Sequence, residues 1–488
     1  MQPYLTSLYS RLKQVTLILF SALFITVNAH AELDVDWTQI QNPRIKEAVL
    51  DLHQGNYFIG INRLIALRSY ADLGQEEELT ELLLGTLYLS YGMPNEATEI
   101  YLDLLDKGTN TITQEQLWFH VAKIQYQRAD YNAAEKSLSH IKGNLKNELG
   151  EQQLFLQALL LMRKNQYSPA ADALNKIKSN SELSLYALYN LAVSLSKTGR
   201  KEESIATFDE ISKISGTNDS ELQALKDKAS VALGYIYLND NAPNKAKHYM
   251  QQVQLKGPLS NKALLGLGWT YSALNEHKKS LVAWMELTRR EKTDPSVMEA
   301  FLTIPYAYSK LDAMGQSLAG YEIAVSEYKN AETRLNKLIA AVRKGEIIKP
   351  VLSQPLGRKL IPDNIILRLP DSTDRHYLMY VISSHEFQEA YKSYMQLKFL
   401  AKRLLEWETT IEKFHGISTT FREAYMDRIL KQQAQTDKTL DELEDYMNGI
   451  AINSLELQKE RTVKLISKAK FSMARIFDRS NIYAEEPQ

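Results

Sequence analysis

Three coupled columns of residues recur along this chain, and they constrain its fold more than any other feature. Leu84-Gly85 and Tyr88 are followed by Ala97, Tyr101 and Leu104. The same frame returns as Leu233-Gly234 and Tyr237 with Ala246 and Met250, and as Leu267-Gly268 and Tyr271 with Ser280 and Trp284. The small residues Gly60, Ala97, Ala134, Ala170, Ser204, Ala246, Ser280 and Ser317 serve as a ruler, with steps of 37, 37, 36, 34, 42, 34 and 37 residues. Twelve positions before the middle six stands a second small residue: Gly85, Ala122, Ala158, Ala192, Gly234 or Gly268. Four positions after each ruler residue stands a large apolar one: Leu64, Tyr101, Leu138, Leu174, Phe208, Met250, Trp284 or Tyr321. Such coupling predicts paired antiparallel helices, A and B, that nearly touch at the small residues and are wedged apart by the large ones.

Turn chemistry falls where helix A must reverse into helix B. Tyr91-Gly92-Met93-Pro94, Asp130-Tyr131-Asn132, Asn165-Gln166-Tyr167-Ser168-Pro169, Thr198-Gly199-Arg200 and Asn239-Asp240-Asn241 all fall between the two columns. The first and last units are degraded, the last with Pro305 at the small position of helix A, as expected of ends that cap a stack. The frame resembles the tetratricopeptide repeat family over residues 44–328. That resemblance implies an α-solenoid of seven to eight helix pairs whose A helices line a concave groove. It specifies a fold and a binding role, not an activity.

Ahead of the repeats, Arg11 and Lys13 precede the apolar run Val15–Val27 and the small-residue exit Ala29-His30-Ala31. This reads as a secretory signal peptide over 1–31, followed by an extension over 32–43, with the mature chain starting at Glu32. The run is shorter than the ~20 residues that span a bilayer, so no integral membrane segment is expected after cleavage. Loss of the two basic residues takes the net charge from −1 to −3. No clustered basic surface suggests nucleic acid. With no cysteine for disulfides, lipidation or thiolate metal sites, the expectation is a soluble periplasmic protein.

Past the repeats, 330–345 reads as a helix. Pro350, Pro355, Pro362 and Pro370 then mark a Pro-rich linker, helix and linker together covering 329–372, and Ile365–Leu369 is a candidate strand. Over 373–414 Phe387, Tyr394 and Ala401 interleave with Ala390, Leu397, Leu404 and Ile411 in a heptad seam ended by His415-Gly416. A second helix from 418 and a third over 453–479 complete a long-helix, coiled-coil-like module over 373–480, with a tail over 481–488. The module is a candidate for self-association. The fold class is therefore all-α.

No motif argues for catalysis. His385-Glu386-Phe387-Gln388-Glu389 resembles the His-Glu-x-x-His zinc helix, but Glu389 stands where the second imidazole belongs. The other histidines are scattered, and Asp441–Asp445 reads as a solvated acidic face. No metal, cofactor or enzymatic role is expected.

The repeat frame places Phe119, Lys123 and Tyr126, then Phe155, Leu159 and Met162, then Tyr186, Tyr189 and Val193 towards the groove. Val231 and Tyr235, Leu265 and Trp269, and Leu302 and Tyr306 follow. Of these, Phe119, Tyr126, Phe155, Tyr186, Tyr189, Tyr235, Trp269 and Tyr306 are the candidate partner-binding residues, suited to an amphipathic helix or extended peptide. Lys123 and Asn190 do not assemble the carboxylate clamp used by some members of the resembled family. The leading expectation is a periplasmic scaffold for protein partners in envelope assembly or secretion. The alternative is a carbohydrate-handling role, with sugars stacked on the aromatics.

Overall fold

The computed structural model describes residues 37–70, 73–109, 111–143, 145, 147–178, 183–214, 219–353, 373–413 and 419–485. The signal segment, the candidate strand and the His415-Gly416 stop lie outside them. Among the described residues there is no strand.

Among the described residues eight antiparallel pairs follow one another. They are α1 (Pro43–His53) with α2 (Tyr57–Tyr70), α3 (Glu77–Tyr91) with α4 (Pro94–Lys107), and α5 (Thr111–Gln127) with α6 (Tyr131–Ser139). Next come α7 (Asn147–Arg163) with α8 (Tyr167–Leu174), α9 (Ser184–Lys197) with α10 (Lys201–Ser212), and α11 (Ser220–Asn239) with α12 (Pro243–Gln252). The last are α13 (Ser260–Ala273) with α14 (His277–Thr288), and α15 (Pro295–Lys310) with α16 (Met314–Arg343).

Each ruler residue from Gly60 to Ser317 is buried. In unit 5 the Ser204 hydroxyl donates to the Ala192 carbonyl at 2.8 Å, and in unit 8 Ser317 donates to Pro305 O at 2.8 Å, twelve residues back in both cases. The wedge residue and the small residue of helix A are matched in size. A Cβ on Gly85 would lie 2.4 Å from the Tyr101 ring, on Gly234 2.5 Å from Met250, and on Gly268 2.0 Å from the Trp284 indole. Where helix A has alanine instead, at Ala122, Ala158 and Ala192, the wedge is Leu138, Leu174 or Phe208.

The A–B turns are equally regular. Five residues before each ruler position stands one residue with positive φ: Gly55, Gly92, Ala129, Asn165, Gly199, Asn241, Asn275 and Asp312. The bonds of a Schellman turn close them, as in Gly92 N–H to Leu89 O at 3.1 Å and Met93 N–H to Tyr88 O at 2.8 Å. Glycine, asparagine and aspartate tolerate this left-handed backbone; Ala129, at φ 62°, is the misfit. Ala129→Gly is expected to raise stability by about 0.5–1 kcal/mol, the relieved strain exceeding the entropy lost by a freer unfolded chain. Thermal unfolding followed by circular dichroism checks this, and an unchanged or lower midpoint would refute it.

The C-terminal part departs from expectation in three ways. The helix expected over 373–414 is two, α18 (Thr373–Ile382) and α19 (His385–Lys413), after the short α17 (Ile348–Ser353). Ser383 and Ser384 break it: Ser384 Oγ donates to Val381 O at 2.7 Å and accepts from Phe387 N–H at 3.4 Å, so it closes one helix and caps the next. Conversely, the two helices expected from 418 and over 453–479 are one, α20 (Thr419–Glu485). Met447, Ala451 and Leu455, all fully buried, pack it against α16 to α19 through the stretch around Gly449, so packing overrides the local helix-breaking preference.

Third, these helices are not a detached module. The distal half of α20 lies antiparallel along α16, with Leu465, Ile466, Ala469 and Ile476 in one core with Tyr321, Ala324, Tyr328 and Ala331. It takes the place of a next A helix. Of the heptad seam, Phe387 and Ala390 are buried within the same chain beside Tyr391 and Met395, while Tyr394, Leu397, Ala401 and Leu404 are half-buried.

Candidate functional site

The solenoid and its C-terminal helices meet along the rim formed by the ends of helices A. In unit 3, His385 lies in tilted ring contact with Tyr126 and Tyr131 (centroids 6.2 and 6.5 Å apart), its Nε2 3.4 Å from Tyr126 O. The Arg163 guanidinium of unit 4 lies 3.5 Å from the centre of the Tyr131 ring and 3.9 Å from the Glu386 carboxylate. Further along α19, Phe399 meets the edge of Tyr91 in unit 2, and Tyr91 in turn touches Phe58 in unit 1. α19 therefore runs back across units 4 to 2. At the other end, His376 of α18 lies 3.7 Å from Glu291, just ahead of unit 8.

This arrangement divides the expected groove. Phe119 (1 % exposed), Tyr126 (7 %) and Phe155 (7 %) are buried in the core shared by units 3 to 6, with Leu159 and Met162. Their rings pack helix on helix, and Tyr126 lies beneath His385. Burial pushes the Tyr126 hydroxyl pKa up.

Units 5 to 8 are more open. Tyr186, Tyr189, Tyr235, Trp269 and Tyr306 are half-buried. Tyr189 packs edge-on against Phe208 at 5.7 Å, and the Tyr235 hydroxyl donates to Lys262 O at 3.1 Å, fixing unit 6 on unit 7. Trp269 lies between Trp284 (5.1 Å) and Tyr306 (5.7 Å), with its buried Nε1–H lacking a hydrogen-bond partner among the described residues. Lys310 Nζ lies 5.7 Å above Tyr306. Each ring thus has a structural task as well as a partly open edge.

The frame also holds a column that the sequence reading passed over. Six residues before the small residue of helix A stand Tyr186, Lys228, Lys262 and Glu299 in units 5 to 8. Lys228 and Lys262 are half-buried. Burial lowers both pKa values; the charge of Lys262 further lowers that of Lys228, which Glu221 partly restores, and Asp294 partly restores that of Lys262. Burial likewise lowers Lys123 in unit 3. Two half-buried ammonium groups within reach of one another's charge favour a nearby anionic group. The repeat interval that located Tyr186 would have located both lysines.

Among the described residues no group of His, Cys, Asp or Glu has the arrangement of a metal site, and no helix is long and apolar enough to cross a membrane. Residues 186–214, covering α9 and α10, match the family model described as tetratricopeptide repeat. The apo form of RapI is similar in fold at 12% identity, over 62% of this chain and 92% of that one, with a TM-score of 0.42. A tetratricopeptide repeat protein from Parabacteroides merdae is similar at 18% identity, over 50% and 90%, with a TM-score of 0.34. The apo quorum sensor NprR from B. thuringiensis is similar at 12% identity, over 58% and 97%, with a TM-score of 0.32. No curated protein matches the chain in sequence.

Proposed function

We propose that this chain, a tetratricopeptide repeat protein, is a non-enzymatic scaffold that holds a segment of a protein partner against units 5 to 8. The observation that carries this reading is the repeat-spaced pair Lys228 and Lys262, half-buried and near enough for the charge of one to act on the other, on the same A helices as the half-buried Tyr235 and Trp269. An amphipathic segment with acidic side chains would relieve the two lysines and lay its apolar face on the rings. Units 2 to 4 carry α19 along their rim, so they contribute less free surface. The signal-like segment supports export to the periplasm and a setting in envelope assembly or secretion.

Full-length protein bearing Lys228→Glu and Lys262→Glu, and a second variant bearing Tyr306→Ala, test the reading in pull-downs from envelope extracts. Both are expected to lose the principal partner by about tenfold or more, as for groups at the energetic centre of an interface, while the helical signal is retained. If both variants capture the same partner as the parent, the groove of units 5 to 8 is not the binding surface.

A further inference from the structure

The distal half of α20 has two faces. Leu465, Ile466, Ala469 and Ile476 point into the solenoid core. On the outward side Val463, Phe471 and Phe477 are 39 %, 65 % and 55 % exposed. Lys464, Lys470 and Arg475 are exposed around them. Arg461 and Lys468 bring the basic residues over 461–478 to five, against the single acid Asp478, in a chain whose net charge is only −1. The Arg475 guanidinium lies 5.9 Å from the centre of the Phe471 ring, and Lys464 pairs with Glu460. Lys470 has no ion pair among the described residues.

An occupant of this face must cover two phenylalanines and neutralise cations together. A second copy related by a two-fold axis would set the same cations against one another. An acidic peptide would need a cleft, whereas the two rings stand roughly 120° of arc apart on the convex outward side of a single helix. A bilayer bearing anionic headgroups offers both requirements without a cleft. Phenylalanine rings enter the boundary between headgroups and acyl chains, and Lys and Arg meet the phosphates above it. We propose that the outward face of α20 over 461–478 docks this protein on an anionic lipid surface. This leaves the groove of units 5 to 8 free, and it does not depend on the function proposed for that groove.

Co-sedimentation of the full-length protein with phosphatidylglycerol-containing vesicles, and with pure phosphatidylcholine vesicles, tests the proposal. Binding is expected to the first and not the second, and to weaken as salt is raised. Phe471→Ser with Phe477→Ser, and separately Lys470→Glu with Arg475→Glu, should each reduce partitioning by about tenfold or more, the loss of two interfacial anchors or the reversal of two surface charges. The helical signal should persist, because all four side chains face solvent. No sedimentation with anionic vesicles, or equal sedimentation by parent and variants, overturns the proposal. So does a parent that is dimeric by light scattering and becomes monomeric in the phenylalanine variant, which would assign the face to a second copy.

Discussion

Gly268→Ala is expected to lower the thermal midpoint more than other one-methyl changes in the solenoid. The added Cβ would lie 2.0 Å from Trp284 Nε1, on an indole that is fully buried and donates to Leu265 O at 3.2 Å. The ring has little room to retreat, so the cost belongs at the upper end of the roughly 1–3 kcal/mol range of overpacking. Gly315→Ala is the control, since a Cβ there has nothing within 4 Å. It should be neutral or slightly stabilising in its helix. Because the two positions are matched in size, Trp284→Phe introduced with Gly268→Ala recreates the Ala192–Phe208 pairing of unit 5. The double variant should be more stable than the two single losses predict. Additive losses in a double-mutant cycle would show that the matching is incidental.

Removing everything after Ser353 is expected to do greater damage. The cut uncovers Tyr328, Leu335, Leu338, Val342, Ile348 and Leu352, each at most 4 % exposed in the full chain. At about 1.5–3 kcal/mol for each large apolar side chain, the lost burial exceeds the cost of overpacking at a single position. The truncated protein should bind a hydrophobic dye, and α15 and α16 should exchange their amide hydrogens rapidly. Exchange over 295–343 as slow as in the full chain, with no dye binding, would mean that α18 to α20 are a dispensable appendage.

The repeat was legible because it is local. Small residue, wedge and turn sit within one helix pair, and a fixed interval betrays them. Even the Asn and Asp turns obey it, Asn275 and Asp312 included. Closure by the C-terminal helices was not legible, because it depends on contacts between remote segments. His385 meets Tyr126 across 259 residues, and no periodicity joins them. The candidate groove was half legible. The frame selects one face of helix A, but it does not reveal that Phe119 and Phe155 are consumed by packing. The lysine column keeps the same interval at Lys228 and Lys262, but the interval alone does not distinguish a half-buried cation from a solvated one. The break at Ser383-Ser384 and the unbroken run through Gly449 show local preference yielding to capping in one case and to burial in the other.

A stack of helix pairs joined only to its neighbours behaves as a spring, since small rotations at every interface add up along its length. In this chain α19 grips units 4 to 2 while α18 contacts the loop ahead of unit 8. A spring tied between two of its own coils no longer extends freely. Pulling its ends apart must first detach the Arg163–Glu386 pair and the rings around His385. The resistance to stretch should therefore begin stiff and drop once that tie is released, where an untied solenoid would yield gradually from the start.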